Sequence, residues 1–361
     1  MKKRIHRFLA SIKHRAEEWM DNNRYLRYLN TLDRRNIYVI GTPTHSNVGD
    51  NAIAYAEILF LEACGFAKKH IKEITVDEYR HYEKLIVKRL SGKKRVIFMH
   101  GGGNMGNQWL NEELFRRTVM GQLPKNPMII LPQTFSYSDD EAGRRECEKS
   151  VAYYNGRKGL TIVARERVSF EQMKKCYPDT NILLTPDIVL SMDPKVLQLR
   201  PQKRQGALLV LRQDGEKVLT DDDAGALQQA LEAMELSYRI TDMLTERQAT
   251  KENRQQILEE KLNEFAGAEI VITDRLHAMV FAAISGTACV VMKNNNHKIT
   301  GTYDWIRDLP HIQFADDVQQ AAELAAELRS AQQHDYDHTA LSSQFDSLRS
   351  VIQEATLTKK G

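Results

Sequence analysis

From residue 36 onward the chain alternates short apolar runs with longer segments of helical period, and that alternation removes most fold classes. "NIYVIGT" (36–42) precedes the helical "DNAIAYAEILFLEAC" (50–64), and "RVIFMH" (95–100) and "MIILPQT" (128–134) flank a helical stretch near 109–120. "LTIVARE" (160–166) and "NILLTPD" (181–187) continue the order. Strands interleaved with helices imply parallel strands joined by right-handed crossovers. The segment "SMDPKVLQLRPQKRQ" (191–205) breaks the rhythm with two prolines and reads as a linker. A second set follows: "GALLVLR" (206–212), a helix near 220–233, "LSYRITD" (236–242), a helix near 250–265, "AEIVITD" (268–274), a helix from Arg275, and "ACVVMK" (288–293). The expected architecture is α/β, with two doubly wound, Rossmann-like domains (35–195 and 205–335) facing a central cleft. An N-terminal amphipathic helix (1–34) and a C-terminal helix (336–361) flank them. Open parallel sheets bind ligands beyond the carboxyl ends of their strands, so polar residues at those ends should line the cleft.

Composition narrows the function classes. With 42% hydrophobic residues, a chain of 361 residues can fill two ordinary cores. No apolar run is long enough to span a bilayer, and the basic N-terminus lacks the apolar core of a secretory leader. Cys64, Cys147, Cys176 and Cys289 have no metal-site spacing and read as reduced thiols of a cytoplasmic protein. A net charge of +3 gives no argument for nucleic acid. Within the first helix, Ile5, Phe8, Leu9, Ile12, Ala16, Trp19 and Met20 recur at helical spacing, beside an excess of Lys and Arg. Such a helix either packs on the body of the protein, the simpler reading, or lies on an anionic membrane surface.

Five stretches carry polar groups at strand ends. In "GTPTHSNVGDNAIAYA" (41–56), Asp50 is positioned as an N-cap, with Asn47 and Gly49 in the turn before it. Alone this is a tight turn and a cap, but such a loop also offers backbone N–H groups to an anion or a sugar hydroxyl. In "HGGGNMGNQW" (100–109), Gly101, Gly102 and Gly103 precede Asn104, and four glycines within six residues exceed what a turn needs, favouring close approach to a ligand. Arg165 directly follows "LTIV" and can fork two hydrogen bonds to a phosphate or carboxylate. In "EIVITDRLHAMVFAAISGT" (269–287), Asp274 is positioned as the cap of an apolar helix that opens with Arg275 and His277. Two cations at a helix N-terminus oppose its dipole, and a bound anion relieves that conflict. Last, "MKNNNHKITGTYDW" (292–305) brings Lys293 and Lys298 to the same edge. No metal-ligand cluster, HExxH or GxSxG pattern occurs, so neither metal nor cofactor is expected.

In this order the motifs resemble the polysaccharide pyruvyl transferase family. The matching pieces are Gly41 with "NVGD" and Ala52, "GGGN" (101–104), "PQ" (132–133), "RE" (165–166) with Ser169, "PD" (186–187) and "DRLHAMVFAA" (274–283). They span residues 41–298, most of the chain. The resemblance implies the two-domain GT-B glycosyltransferase architecture. It also implies transfer of the enolpyruvyl carbons of phosphoenolpyruvate to a sugar, leaving a pyruvate ketal. By the same likeness Arg275 grips the donor, His277 acts in its chemistry, and Arg165 and one lysine complete the anion site. Relatives carry an Asp-Pro-like pair before that lysine where this chain has Asn296 and His297, so Lys298 and Lys293 are both candidates.

Phosphoenolpyruvate is an enol ester, and adding an alcohol across its double bond needs an acid, a base and an anion clamp. Imidazole suits proton transfer near neutral pH. The expected acceptor is a nucleotide- or lipid-linked sugar intermediate made in the cytoplasm. Two rival expectations share the fold: a glycosyltransferase using a nucleotide sugar, and a non-catalytic glycan-binding relative.

Overall fold

The computed structural model describes residues 2–92, 95–200, 203–213, 216–329 and 335–357, with side chains from Lys13 onward. Helix α1 (Lys2–Leu29) leads into a seven-stranded sheet: β1 (Ile37–Thr42), β2 (Ile71–Thr75), β3 (Ile97–Met99), β4 (Gly102–Gly106), β5 (Met128–Ser136), β6 (Leu160–Ala164) and β7 (Asn181–Leu184). Its helices are α2 (Val48–Ala63), α3 (Val76–Leu90), α4 (Leu110–Gln122), α5 (Glu141–Tyr154) and α6 (Arg167–Cys176). The second sheet has five strands: β8 (Ala207–Val210), β9 (Tyr238–Ile240), β10 (Ile270–Thr273), β11 (Ala288–Met292) and β12 (Ile312–Ala315). Around it lie α7 (Asp221–Ala233), α8 (Arg254–Ala266), α9 (Leu276–Ile284), α10 (Lys298–Ile306) and α11 (Val318–Leu328), and α12 (Asp346–Leu357) closes the chain.

The strand pairings within both sheets are parallel. The first sheet runs β2-β1-β3-β5-β6-β7, with β4 added on β5, and the second runs β12-β11-β10-β8-β9. Helices on both faces bury these strands, which is why β1, β10 and β11 are buried at every residue and apolar at nearly all. In each sheet the strand order reverses beside the first strand: between β1 and β3, and between β8 and β10. Loops leave in opposite directions at such a reversal and open a crevice at the carboxyl ends.

The two halves share one apolar cluster. Val48, Ala52 and Phe60 of α2 pack with Leu258 of α8 and with Met279 and Phe281 of α9. Phe345, Leu348 and Ile352 return the C-terminal segment onto the same cluster, with the Phe60 and Phe345 rings 5.4 Å apart. The helix expected over 336–361 thus occupies 346–357, and residues 358–361 lie outside the described part. Residues 201–202 of the expected linker do as well. Among the described residues no helix is long and apolar enough to cross a membrane.

Two expectations need correction. The stripe on α1 does not pack into the body at Trp19 and Met20, which are 68% and 55% exposed. Among the described side chains, those from Asp21 onward dock: Tyr25, stacked on Tyr82 at 3.9 Å, and Leu29 are buried, the Tyr82 hydroxyl donates to Asp21, and the Tyr28 hydroxyl donates to the Glu73 carbonyl. The side chains of Ile5, Phe8, Leu9 and Ile12 lie outside the description. The glycine-rich stretch, expected as a loop, forms β4. A Cβ on Gly106 would lie 1.7 Å from the Ser136 carbonyl oxygen, and one on Gly101 would lie 2.6 Å from that of Pro132. These two glycines therefore admit the β5 backbone, not a ligand.

Candidate functional site

The strand ends of both sheets face a cavity of about 510 Å³, within the usual range for a small-molecule site. The N-terminal half lines it with Asn47, Asp50, His100, Gly103, Asn104, Trp109 and Arg165, and the C-terminal half with Arg212, Glu216, Arg275, His277 and Lys298. Arg165 stands just past β6, Arg212 past β8 and Arg275 past β10, so three guanidiniums reach the cleft by the same local rule. Lys298 opens α10 after β11 and is buried. Lys293, the other candidate, is exposed and does not line the cavity.

These cations are held by carboxylates. Arg165 donates to Asp187 at 2.7 Å and to the Thr134 hydroxyl at 2.8 Å, with both members of the ion pair almost fully buried. Arg275 pairs with Asp242 at 2.7 Å. Arg212 reaches Glu216 at 2.7 Å, and Lys298 bonds the same carboxylate oxygen. Burial pushes the Lys298 ammonium down to about 8, against the opposing pull of Glu216, with Arg212 and Arg165 adding to the fall. Four cations and the three carboxylates that hold them are thus gathered at one end of a pocket whose lining also carries Arg80, Asp50, Asp77 and Glu112.

His277 crosses from the other half to this network. Its Nε2 lies 3.6 Å from Asp187 Oδ2 and makes no hydrogen bond among the described residues. Burial raises the Asp187 carboxyl, but His277 and Arg165 outweigh it and hold the group well below the usual carboxylate range. Asp187 thus joins a candidate anion ligand to a candidate proton-transfer group. Helix α9 is buried along almost its whole length, which fixes His277 on a rigid support.

The first expected anion loop has a different job. The cap of α2 is Asn47, not Asp50: its Oδ1 accepts from the N–H groups of Gly49 (2.9 Å) and Asp50 (3.3 Å). Those donors are therefore taken. The loop instead joins the halves: Val48 donates to the Met243 carbonyl at 2.7 Å, Thr245 donates to that of Ser46, and Asn47 bridges Leu244. Gly49 lies under the imidazole, where a Cβ would fall 2.5 Å from His277 Nδ1. Gly49→Ala should therefore displace His277 and lower turnover by about 10²-fold without removing any polar group. Steady-state rates check this, and wild-type turnover in the alanine variant would contradict the placement.

The remaining candidates divide. Gly103 lies beside the Arg165 guanidinium, so its missing Cβ keeps that group at the cleft. Asn104 lines the cleft but lends its side-chain oxygen to Arg116 at 2.5 Å. Gly101 donates to Glu57 at 2.7 Å, and Gly102 has φ +124°, reserved for glycine. Asp274 does not cap α9: its Oδ1 accepts from the Arg212 N–H at 2.8 Å, and Arg275 occupies the cap position without a side-chain bond. Sequence reasoning missed His100, Arg212, Glu216 and the direct role of Asp187. His100 and Arg212 end apolar strands just as Arg165 does, so the same signal was present for them.

Comparison with known proteins gives the family and the fold. The description of the polysaccharide pyruvyl transferase family matches residues 47–296. General stress protein 30 of Bacillus subtilis is 34% identical over 88% of this chain and 91% of its own. Pyruvyl transferase 1 of Schizosaccharomyces pombe is 28% identical over 75% of this chain and 70% of its own. A UDP-GlcNAc 2-epimerase from Methanocaldococcus jannaschii superposes with a TM-score of 0.50 at 12% identity, covering 88% of this chain and 99% of that one, a likeness of fold alone. The paired parallel sheets are those of the two-domain, Rossmann-like GT-B architecture, and with the family match over most of its length the chain belongs to the polysaccharide pyruvyl transferases.

Proposed function

We propose that the protein transfers the enolpyruvyl group of phosphoenolpyruvate to a sugar and closes it into a pyruvate ketal during surface polysaccharide synthesis in the cytoplasm. The observation that carries this is the meeting of Arg165, Arg275 and Lys298 with His277 in one cleft. A donor bearing both phosphate and carboxylate suits several cations. Charge-assisted hydrogen bonds contribute about 1.5–3 kcal/mol each, so two or three support a micromolar-to-millimolar site after the costs of binding. The cations neutralise the phosphate, so the reading requires no metal. Phosphate release from phosphoenolpyruvate with a panel of p-nitrophenyl hexopyranosides and nucleotide-linked sugars tests it, with the chelator EDTA present. The expected product is heavier by pyruvate minus water. Turnover of UDP- or GDP-sugars with no reaction of phosphoenolpyruvate would instead support the nucleotide-sugar glycosyltransferase.

The acceptor fits a nucleotide- or lipid-linked intermediate, and α1 favours a site at a membrane surface. From Lys13 to Met20 its side chains are exposed, including Trp19, beside a run of basic residues. Interfacial helices combine exposed aromatic side chains with Lys and Arg in this way. The intact protein should sediment with phosphatidylserine vesicles at low salt and release as salt rises, and Trp19→Glu should weaken the association. No sedimentation at low salt would rule out the membrane contact.

A further inference from the structure

The N-terminal half carries a second imidazole that the donor clamp does not use. His100 follows β3 at the strand-order reversal between β1 and β3, and it lines the cleft. Its Nδ1 lies 2.9 Å from Glu57 Oε2, and the other oxygen of Glu57 accepts the Gly101 N–H at 2.7 Å. Glu57 is fully buried on α2, so its charge is committed to these two donors. The His100 carbonyl accepts from Gln133 Nε2 at 2.8 Å, which fixes the backbone as well. With Nδ1 directed at a carboxylate, the proton belongs on Nδ1 and the lone pair on Nε2. Among the described residues the printed ring contact of His100 is through Nδ1, and the side chain, 8% exposed, lines the cavity.

A carboxylate-held imidazole whose Nε2 carries the lone pair is the arrangement of a general base. The reaction needs one. Addition joins an acceptor oxygen to C2 of phosphoenolpyruvate and a proton to C3. The C2–O bond to phosphate then breaks, and a second hydroxyl closes the ketal. Of the two hydroxyl protons, one is matched by the new C–H bond and the other leaves with phosphate. His277, among the donor-site cations, is on the pyruvyl-transfer reading the source of the proton for C3, and it cannot at the same moment take one from the attacking hydroxyl.

We propose that His100, oriented by Glu57, accepts the proton of the acceptor hydroxyl as it attacks, so that the two halves supply a base and an acid from opposite walls. The proposal rests on the pyruvyl-transfer reading. It also assigns the acceptor side of the cleft to the strand-order reversal of the first sheet, in a cavity that Thr44, Asp77 and Trp109 line together with His100. The charged groups acting on His100 are Glu57 and Asp50 on α2 and Arg254 on α8. Burial lowers its pKa, but the two carboxylates outweigh burial and Arg254 and raise it overall. A base must be neutral, so turnover should fall on the acid side as pH drops through this raised value.

The test compares wild type, His100→Gln and Glu57→Gln, using phosphoenolpyruvate and whichever hexopyranoside of the panel reacts. His100→Gln should bind phosphoenolpyruvate within about threefold of wild type by calorimetry, lose on the order of 10²-fold or more in kcat, and lose the acid limb of the pH–rate profile. Glu57→Gln should keep an acid limb but move it to lower pH, because the charge that raises His100 is gone. In imidazole NMR spectra the His100 resonance should titrate at lower pH by the same amount, a reading independent of turnover. Wild-type kcat in His100→Gln, or an acid limb unmoved in both variants, overturns the role of His100 and leaves pyruvyl transfer intact. Wild-type protein that releases no phosphate from phosphoenolpyruvate overturns the pyruvyl-transfer reading itself, and the role of His100 with it.

Discussion

His277→Asn is expected to lower turnover by roughly 10²–10⁴ while changing phosphoenolpyruvate affinity by no more than about threefold. The imidazole stands at the first turn of α9, with Nε2 unbonded and 3.6 Å from Asp187. Gly49 gives it room, and the apolar length of α9 holds it still. On the proposed reading this group serves proton transfer, whereas the guanidiniums around it supply the grip. Asparagine keeps polarity near one ring nitrogen but cannot exchange protons near neutral pH. The expected signature is therefore a loss in kcat with little change in Kd, measured by phosphate release and calorimetry. Equal turnover of variant and wild type at saturating substrates would remove His277 from the chemistry.

Arg165→Met should both abolish transfer and destabilise the fold by about 3–5 kcal/mol, because it takes the guanidinium from buried Asp187 and leaves only the Val189 N–H at 2.9 Å and His277 at 3.6 Å beside the charge. The guanidinium is 2% exposed and the carboxylate 1%, so solvent cannot replace the lost contact. The double variant Arg165→Met/Asp187→Asn should regain most of that stability and stay inactive. Urea denaturation at neutral pH measures the difference, and a single variant within about 1 kcal/mol of wild type would contradict the buried pair. The pH dependence has a defined sign. Asp187 is held below the usual carboxylate range, so its contribution is complete above that range and is lost as pH falls through its lower folded value.

The central strands were legible because burial on both faces writes them as continuous apolar runs. β2, "IKEIT", and β12, "IQFA", escaped that criterion. Both are edge strands, and edges tolerate the polar Lys72, Glu73 and Gln313. β4 was hidden by its glycines, which signal close approach without saying whether a backbone or a ligand approaches. Arg165, Arg275 and His277 were legible because a polar residue straight after an apolar strand must emerge at the cleft. The same rule applied to His100 and Arg212, but their carboxylate partners, Glu57 and Glu216, become visible only when the chain is folded. The caps failed for a related reason. Asn47 and Asp50 are three residues apart and equally suited to capping, and the choice was made by contacts with Met243 and Leu244, nearly two hundred residues away. Lys298 and Lys293 could be separated only by where α10 begins.

The seam at that loop bears on how such proteins exchange parts. Arg254 of α8 is buried against Asn51, Glu73 and the Pro43 carbonyl of the other half, and Lys251 pairs with Glu78 at 2.6 Å. On the far side of the cleft, Trp305 of α10 donates to the Arg165 carbonyl, and Gly301 leaves room for Glu166. Recombination between homologues at residues 191–205 would sever no strand and would keep each half's local sequence whole. It would still mismatch both edges of the seam unless Arg254, Gly301 and Trp305 travelled with partners that fit them. Chimeras meant to alter acceptor choice should therefore exchange residues 43–80 together with 243–254, treating the seam as one inherited unit.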